Sequence, residues 1–455
     1  MAGPTVIVVG AGPAGTRAAA RLVEAGLRPL VVDEGRQNGG QIYRRQPENF
    51  GRKSSELYGF EAAKAEALHR NFEMLRPHIE YRSETLAWNV YDGALHLLHG
   101  ERSEAVRFDA LILASGATDR IMPLPGWTLP GTYSLGGAQI ALKAQACAIG
   151  ARPVFLGTGP LLYLVAYQYA KAGIEVGAVL DTSRFSRRIA ALPALSARPG
   201  MLAKGLYYSL WLARHGVRVL TGVTPVAIVG ETRVTGVAVR DKRGRAREYV
   251  CDAVGLGYGL RSETQLADLA RCRFVFDKLA RQWLPETDAD GRTSTLGVYL
   301  AGDGARIVGA DAAELGGRLA ACAALTDLGR AVPAAEIGQL RDALRPMLRF
   351  RQGLEKAFAW PANLAADLPD DMLLCRCEAI TAGELRRTAT ELGAPEVNRA
   401  KAFSRIGMGR CQGRFCGLAA AEILAATLSV PIDQVGRLRG QAPVKPLPIA
   451  TECGA

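Results

Sequence analysis

The first 34 residues constrain the fold most, because an apolar run passes directly into a glycine loop, a helical segment and a second apolar run. Residues 5–9 predict a strand, and the loop after them carries three glycines. An alanine-rich helix is expected over residues 16–25 and a second strand over residues 29–32. This order, with this glycine spacing, predicts the β-α-β unit of a dinucleotide-binding fold.

The residues of this loop have distinct physical roles. Gly10 permits a tight turn, Gly12 lets the backbone approach a pyrophosphate, and Gly15 allows close packing of the helix on the strand. Pro13 and Ala14 lie between them, where the helix begins, and complete the predicted binding loop. A bound pyrophosphate would rest on the helix N-terminus, whose unpaired N–H groups and dipole favour an anion.

An acidic residue at the end of the second strand is the usual partner of a ribose hydroxyl and would repel a 2′-phosphate. Asp33 has the better spacing from Gly10, and Glu34 is the alternative. The competing interpretation is a glycine-rich turn followed by a solvated carboxylate.

A second strand–glycine–helix arrangement follows at residues 153–172 but departs from the pattern. Its loop carries Gly157 and Gly159, whereas Leu162 stands where the third glycine belongs and should widen the packing of helix on strand. Strand 175–180 ends at Asp181, and Arg184, Arg187 and Arg188 come next. Three alternatives stay open for this second glycine loop: NAD(P)H, another nucleotide such as ATP, or no ligand and a scaffold role.

Four cysteines near the C-terminus form a CxC and a CxxxxC pair, separated by residues 378–410. They are Cys375, Cys377, Cys411 and Cys416. Zinc sites usually use CxxC or Cys/His pairs, and no histidine follows His215. Four thiolates suit a [2Fe-2S] cluster, and nearby arginines would offset its negative charge. Zinc and four buried apolar cysteines are the alternatives.

Composition is that of a globular enzyme of two or three domains, with 455 residues, 49% hydrophobic and 22% charged. No apolar run is long enough for a membrane span, and no secretion signal is read. These features and the odd number of cysteines, nine, indicate a reducing, cytoplasmic setting. The net charge of +12 is dispersed and aromatic residues are few, which argues against nucleic-acid binding but leaves contact with the inner membrane face as an alternative.

Catalytic residues are not predicted for this chain. The N-terminal half carries no CxxC, which excludes a disulfide-reductase mechanism. The five histidines are scattered and match no catalytic signature.

Two further strand–turn segments, at residues 110–117 and 297–304, complete a pattern that resembles the two-dinucleotide-domain flavoproteins of the glutathione-reductase type. The resemblance implies FAD in the first fold. It implies that Asp303 accepts a hydrogen bond from a ribityl hydroxyl, although an aspartate in a loop is otherwise a turn former. The other residues implied to contact FAD are Gly40 and Gln41 beside the flavin ring, Ser115 and Gly116 in a nearby turn, and Gly302.

Residues 252–268 and 39–46, with the second glycine loop and the cysteine tail, resemble the alpha subunits of heteromeric dye-linked amino-acid dehydrogenases. That group contains opine oxidases, D-hydroxyproline and L-proline dehydrogenases, and hydrogen cyanide synthase. The tail resembles the bacterioferritin-associated-ferredoxin-like [2Fe-2S] domain. The resemblance implies a separate FAD-dependent amine-oxidase-like β subunit, a small ferredoxin-like γ subunit, an FMN between subunits in some relatives, and a quinone or dye as acceptor.

The predicted fold is α/β, with two nested dinucleotide-binding folds and a small α-helical C-terminal [2Fe-2S] domain. Residues 381–384 form a capping box that should start a helix running to 392, and a second helix is expected over 417–428. The implied function is electron transfer within an amino-acid or opine dehydrogenase. The alternatives are a self-sufficient NAD(P)H-dependent flavin/iron-sulfur oxidoreductase and a scaffold or redox sensor. The predicted domains are FAD-binding 1–150 and 251–335, nucleotide-binding-like 151–250, a helical linker 336–369, and [2Fe-2S]-binding 370–455.

Overall fold

The computed structural model describes residues 3–47 and 49–449, and the backbone of residues 452–453. Its strands are β1 (Val6–Val9), β2 (Leu30–Val32), β3 (Glu80–Arg82), β4 (Thr85–Tyr91), β5 (Ala94–His99), β6 (Arg102–Arg107), β7 (Ala110–Leu113), β8 (Ala117–Asp119), β9 (Thr132–Ser134), β10 (Pro153–Thr158), β11 (Ala178–Asp181), β12 (Val219–Thr221), β13 (Thr224–Val229), β14 (Gly236–Arg240), β15 (Ala246–Val250), β16 (Ala253–Tyr258), β17 (Leu260–Ser262), β18 (Phe274–Asp277), β19 (Gln282–Pro285), β20 (Val298–Leu300), β21 (Leu373–Cys375), β22 (Ile380–Thr381) and β23 (Glu452–Cys453).

The helices alternate with these strands in the first two thirds of the chain and dominate the last third. They are α1 (Pro13–Glu24), α2 (Ser54–Tyr58), α3 (Ala62–Leu75), α4 (Leu135–Ala144), α5 (Pro160–Lys171), α6 (Phe185–Leu195), α7 (Pro199–Arg214), α8 (Gln265–Leu269), α9 (Ala310–Asp327), α10 (Ala334–Ala357), α11 (Ala382–Thr390), α12 (Val397–Ser404) and α13 (Gly417–Leu428). In the described part of the chain, none of them combines the length and apolarity needed to cross a bilayer.

The first sheet is parallel and has the order β20-β7-β1-β2-β3. Its central strands β1 and β7 are buried along their whole length, which explains why both read as continuous apolar runs rather than as alternating ones. Helices α1 and α9 pack against each other. An antiparallel sheet of β4, β5 and β6 follows β3.

The second sheet is also parallel and has the order β12-β11-β10-β16-β9. Two of its strands lie outside the predicted second domain: β9 comes before residue 151 and β16 after residue 250. The predicted boundaries are wrong there because β16 pairs with β10 on one side and with β9 on the other. A third sheet of β13, β14 and β15 lies between β12 and β16 in the chain.

The C-terminal region is a small helical unit on the hairpin of β21 and β22. The capping box is present, since Thr381 Oγ1 accepts from Glu384 N and the Glu384 carboxylate accepts from Thr381 N. Helix α13 has the predicted bounds, whereas α11 ends two residues before 392. A loop is expected from the sequence over residues 398–409, but α12 occupies most of their first half because its Val397 and Ala400 are fully buried against the other helices.

Candidate functional site

The first glycine loop, residues 10–15, has a geometry that only glycine allows at two of its positions. Gly10 has φ +103°, and a Cβ there would lie 2.5 Å from the Ala114 carbonyl oxygen. A Cβ on Gly15 would lie 1.7 Å from the Gly10 carbonyl oxygen, so α1 can approach β1 this closely only with glycine. Helix α1 begins at Pro13 with Gly12 as its N-cap, and its first N–H groups therefore point toward the loop opening.

The predicted flavin-ring loop lies on top of this opening. Gly39 N donates to the Ala11 carbonyl at 2.9 Å, and a Cβ on Gly12 would lie 3.5 Å from Gly40 Cα. Gly40 takes φ +61°, which favours glycine. Gln41 is exposed and accepts a hydrogen bond from Arg44 at 2.8 Å. The structure therefore brings Gly12 and Gly40 together, as one binding site requires.

The two candidate ribose acids have different surroundings. Asp33 accepts from Ala11 N at 2.5 Å and from Gly35 N at 2.6 Å, so its carboxylate ties the glycine loop to the end of β2. Burial raises the pKa of Asp33 above its ordinary value, against those two bonds. Glu34 is exposed and forms an ion pair with Lys445. Asp33, the preferred residue, thus has a structural role in this geometry, and Glu34 presents the more accessible carboxylate.

The other predicted turns meet α1 at its first residues. A Cβ on Gly302 would lie 2.8 Å from Ala14 Cβ, and a Cβ on Gly304 would lie 2.8 Å from Ser115 Oγ. Asp303 Oδ1 accepts from Val308 N at 2.8 Å and Gly309 N at 3.0 Å, and these bonds leave Oδ2 for a ribityl hydroxyl.

Gly317 was missed from the sequence. A Cβ there would lie 2.0 Å from the Ala14 carbonyl oxygen, so it sets the close contact of α9 with α1. A glycine inside a long alanine-rich helix was the available signal.

The second glycine loop, residues 157–162, is filled by the protein's own side chains. Leu162 is fully buried in the core between α5 and the second sheet. Asp181 is fully buried and accepts from Thr158 Oγ1 at 3.0 Å, from Tyr163 Oη at 2.8 Å, and from Arg188.

Arg188 closes the same space from above. Its guanidinium lies 5.1 Å from the centre of the Tyr163 ring and 4.9 Å from that of Phe358, so it is held between two aromatic side chains. Burial raises the pKa of Asp181, and the charge of Arg188 acts in the opposite direction. Of the arginines predicted to hold a phosphate, Arg188 is thus committed to an internal ion pair, while Arg184 and Arg187 are exposed.

The four C-terminal cysteines come together in the structure. Cys375 ends β21, Cys416 is the N-cap of α13, and both are buried. The Cys416 thiol is hydrogen-bonded to the sulfurs of Cys375 and Cys411, and Cys411 is in turn bonded to Cys377. The hydrogen bond with Cys416 lowers the pKa of Cys375 to about 6 and that of Cys411 to about 5.

This donor set fits a [2Fe-2S] cluster. The cluster takes four thiolates, two on each iron, so the four sulfurs need not surround one ion. Within the described residues, no three His, Cys, Asp or Glu side chains are arranged around a single metal ion, as a zinc site would require. Of the remaining cysteines, Cys251, Cys272 and Cys322 are buried elsewhere and Cys147 is exposed, while the side chain of Cys453 lies outside the described residues.

The predicted arginines surround the cysteines in different ways. Arg376 lies over the Phe415 ring at 4.7 Å, and Arg405 forms an ion pair with Glu378 at 2.8 Å. Arg414 pairs with Glu263 from the first two thirds of the chain, whereas Arg410 is exposed.

Comparison with known proteins agrees with both halves of this geometry. Residues 4–324 match the pyridine nucleotide-disulphide oxidoreductase family. The chain belongs to this family. Residues 373–426 match the BFD-like [2Fe-2S] binding domain, a span that contains all four cysteines.

Curated relatives extend over nearly the whole chain. A subunit of the opine oxidase of Agrobacterium tumefaciens is 37% identical over 98% of this chain and 90% of its own length. The HcnB subunit of hydrogen cyanide synthase from Pseudomonas aeruginosa is 32% identical over 98% of this chain and 97% of its own length. Among solved structures, L-proline dehydrogenase from P. horikoshii has the same fold, with TM-score 0.69 and 18% identity, covering 98% of this chain and 79% of that one.

These matches confirm the predicted α/β fold with a C-terminal [2Fe-2S] domain, and the resemblance to the opine oxidase and hydrogen cyanide synthase group. The chain is an oxidoreductase that binds FAD and a [2Fe-2S] cluster. Its family is named after disulfide chemistry, yet this sequence has no cysteine before Cys147.

Proposed function

We propose that this chain is the FAD- and [2Fe-2S]-carrying electron-transfer component of a heteromeric amino-acid or opine dehydrogenase. The supporting observation is that the first glycine loop and the four-cysteine site occur in one chain, without a catalytic group beside either. We assign Gly10, Gly12, Gly15, Asp303 and their neighbours to FAD, and Cys375, Cys377, Cys411 and Cys416 to the cluster.

The histidines support this view because their contacts are structural. His69 is bonded to the Tyr43 carbonyl at 2.9 Å, and burial lowers its pKa. His215 stacks on Trp211 with ring centres 3.7 Å apart, and His96 packs on Trp88. General acid–base chemistry on an amine would therefore come from another subunit.

In the proposed complex, an FAD-dependent amine-oxidase-like β subunit removes hydride from the carbon next to nitrogen. Electrons pass through this chain to a quinone or dye, and bound FAD would supply the change from two-electron to one-electron transfer. Relatives named as subunits support a partner. A small ferredoxin-like γ subunit belongs to the same proposal, as does an FMN at the interface between subunits.

The experiment is to express the chain alone and together with the amine-oxidase-type flavoprotein encoded beside it. Dye reduction is then measured with opines, D-hydroxyproline, proline and glycine. We expect activity only from the pair, with at least one substrate of this set. Full activity from this chain alone would contradict its assignment as one component of a larger enzyme.

We propose further that the second glycine loop is scaffold and binds neither NAD(P)H nor ATP. The buried Leu162, and the use of Asp181 and Arg188 in one internal ion pair, support this. A self-sufficient NAD(P)H oxidoreductase, the alternative, would need that space open.

We also propose peripheral contact with the inner membrane face through α6 and α7. Residues 182–230 contain seven Arg or Lys and no Asp or Glu. Leu206 and Leu210, on one face of α7, are 57% and 58% exposed. Basic helices with exposed apolar faces are typical of anionic lipid surfaces.

Sedimentation with vesicles tests this membrane proposal. We expect binding to vesicles containing phosphatidylglycerol and weaker binding after Leu206→Ser/Leu210→Ser. Equal binding to neutral phosphatidylcholine vesicles, or no binding, would contradict it.

A further inference from the structure

Residues 260–268, the bridging segment, connect the candidate flavin site with the candidate cluster site. Its strand β17 pairs antiparallel with β8, which follows the turn Ser115–Gly116. Glu263 N donates to the Gly116 carbonyl at 2.9 Å, and Ser115 Oγ donates to the Glu263 carbonyl at 2.6 Å. Two hydrogen bonds thus fix the backbone of Glu263 on the turn assigned to FAD.

The side chain of Glu263 extends to the cluster loop, residues 411–416. Arg414 Nε donates to Glu263 Oε2 at 2.7 Å and Arg414 Nη2 donates to Oε1 at 3.3 Å. The side chains are only 14% and 12% exposed. Burial opposes the charge on Glu263, but Arg414 outweighs it and holds the pKa of Glu263 below its ordinary value.

The cluster loop is held at further points by the same residues. Arg414 Nη1 donates to the Val444 carbonyl at 2.7 Å. Arg261 Nη1 donates to the Arg414 carbonyl at 3.1 Å, and Gln265 Nε2 donates to the Gln412 carbonyl at 2.8 Å. Every second residue of the bridging segment from 261 to 265 therefore contacts the loop between Cys411 and Cys416.

We propose that Glu263 and Arg414 are a positioning pair that locks the cluster loop onto the flavin-side turn and sets the midpoint potential of the cluster. The inference rests on the proposed placement of FAD at the first glycine loop and of the cluster at the four cysteines. Net charge and hydrogen bonding near a cluster control its potential. Because the two groups carry opposite charges in a partly buried site, removing either one leaves the other uncompensated.

The test is an EPR-monitored redox titration of the complete chain and its Glu263→Gln and Arg414→Gln variants. Glu263→Gln removes a negative charge, so the midpoint potential of the cluster should rise. Arg414→Gln removes a positive charge, so the potential should fall. Opposite shifts identify a charge effect, because general loosening of the domain would move both variants in the same direction.

Position is tested separately from charge with Glu263→Asp. This variant keeps the carboxylate but shortens the side chain, so the potential should stay close to that of the parent protein. Hydrogen–deuterium exchange of residues 411–416 should nevertheless be faster. If Arg414→Gln does not fold, Glu263→Gln and Glu263→Asp still decide both parts of the proposal.

A matched control is the ion pair of Asp268 and Arg437, with N–O distances of 2.6 and 2.7 Å. It also joins the bridging segment to the C-terminal region, but outside the cluster loop. Asp268→Asn should leave the cluster potential unchanged. Shifts in the same direction for Glu263→Gln and Arg414→Gln, or no shift, would overturn the positioning pair. A parent protein without FAD or without a cluster would instead contradict the proposed function.

Discussion

The two glycine loops share one backbone plan, and a few side chains decide which of them has room for a ligand. In the first loop, Gly15 lets α1 lie against Gly10, where a Cβ would be 1.7 Å from the carbonyl oxygen. In the second, Leu162 occupies the third glycine position and is fully buried. A retained strand–glycine–helix motif therefore supports the sheet even where the nucleotide space is filled.

The acids at the strand ends differ in the same sense. Asp33 bonds only backbone N–H groups of the adjacent loops, at 2.5 and 2.6 Å. Asp181 is bonded to two hydroxyl groups and pairs with Arg188, which lies between two aromatic rings. An acid whose oxygens are bonded inside the core is not available to a ribose, so the second loop has exchanged ligand binding for internal packing.

Exchange of the third residue between the loops should have the largest effect. Gly15→Leu places side-chain atoms into the backbone of Gly10, so FAD should be lost and the first fold strongly destabilised. The matched variant Leu162→Gly creates a cavity in the second fold and should cost roughly 2–5 kcal/mol while the protein keeps its FAD. The absorbance spectrum after gel filtration measures both. FAD loss from Leu162→Gly together with FAD retention by Gly15→Leu would reverse the assignment of the loops.

Neutralising the two strand-end acids should have unequal effects on stability. Asp181→Asn leaves Arg188 buried without its anion and should reduce the free energy of unfolding by about 3 kcal/mol. Asp33→Asn weakens two hydrogen bonds to backbone N–H groups and should cost about 1 kcal/mol. Urea unfolding followed by tryptophan fluorescence compares them. A larger loss for Asp33→Asn would show that Asp181 is not the more deeply committed group.

Two substitutions in the first fold should lower FAD retention while the protein still folds. Gly12 has φ −79°, and a Cβ there would meet Gly40 Cα only at 3.5 Å, so Gly12→Ala fits the protein but obstructs a pyrophosphate. Asp303→Ala removes the ribityl contact and should weaken FAD binding about tenfold, corresponding to about 1.4 kcal/mol. Fluorescence titration of the deflavinated protein measures both affinities. Normal affinity in both variants would refute the FAD assignment.

The smallest expected effect is that of reduced nicotinamide nucleotides. Because the second loop is filled, mixing with NADH or NADPH in a stopped-flow instrument should leave the flavin oxidised. Dithionite provides the positive control for bleaching. Rapid bleaching by either nucleotide would favour the self-sufficient NAD(P)H oxidoreductase.

Much of this comparison could be predicted from the sequence because it depends on local signals. The order of strand, glycine and helix, the capping box at Thr381 and the bounds of α13 all involve neighbouring residues. The replacement of the third glycine by Leu162 was also visible, and it indicated a disturbed nucleotide site.

The remainder depends on contacts between distant segments. Asp181 has the sequence context of a ribose acid, and only its three-dimensional contacts with Tyr163 and Arg188 reveal the difference. Glu263 and Arg414 are 151 residues apart and match no motif. The crossing of the predicted domain boundaries by β9 and β16 has the same origin, since strand pairing between remote segments leaves no local pattern.

The central claim is that FAD in the first fold and a [2Fe-2S] cluster on the four cysteines form independent sites in one chain. The most direct measurement is the EPR spectrum of the dithionite-reduced protein and of Cys411→Ala, with iron and FAD quantified in both. The account predicts about two irons per chain and a reduced [2Fe-2S] signal in the parent protein. Cys411→Ala should lose that signal and most of the iron and keep its FAD. An unchanged signal in Cys411→Ala, or zinc in place of iron in the anaerobically purified parent, would contradict it.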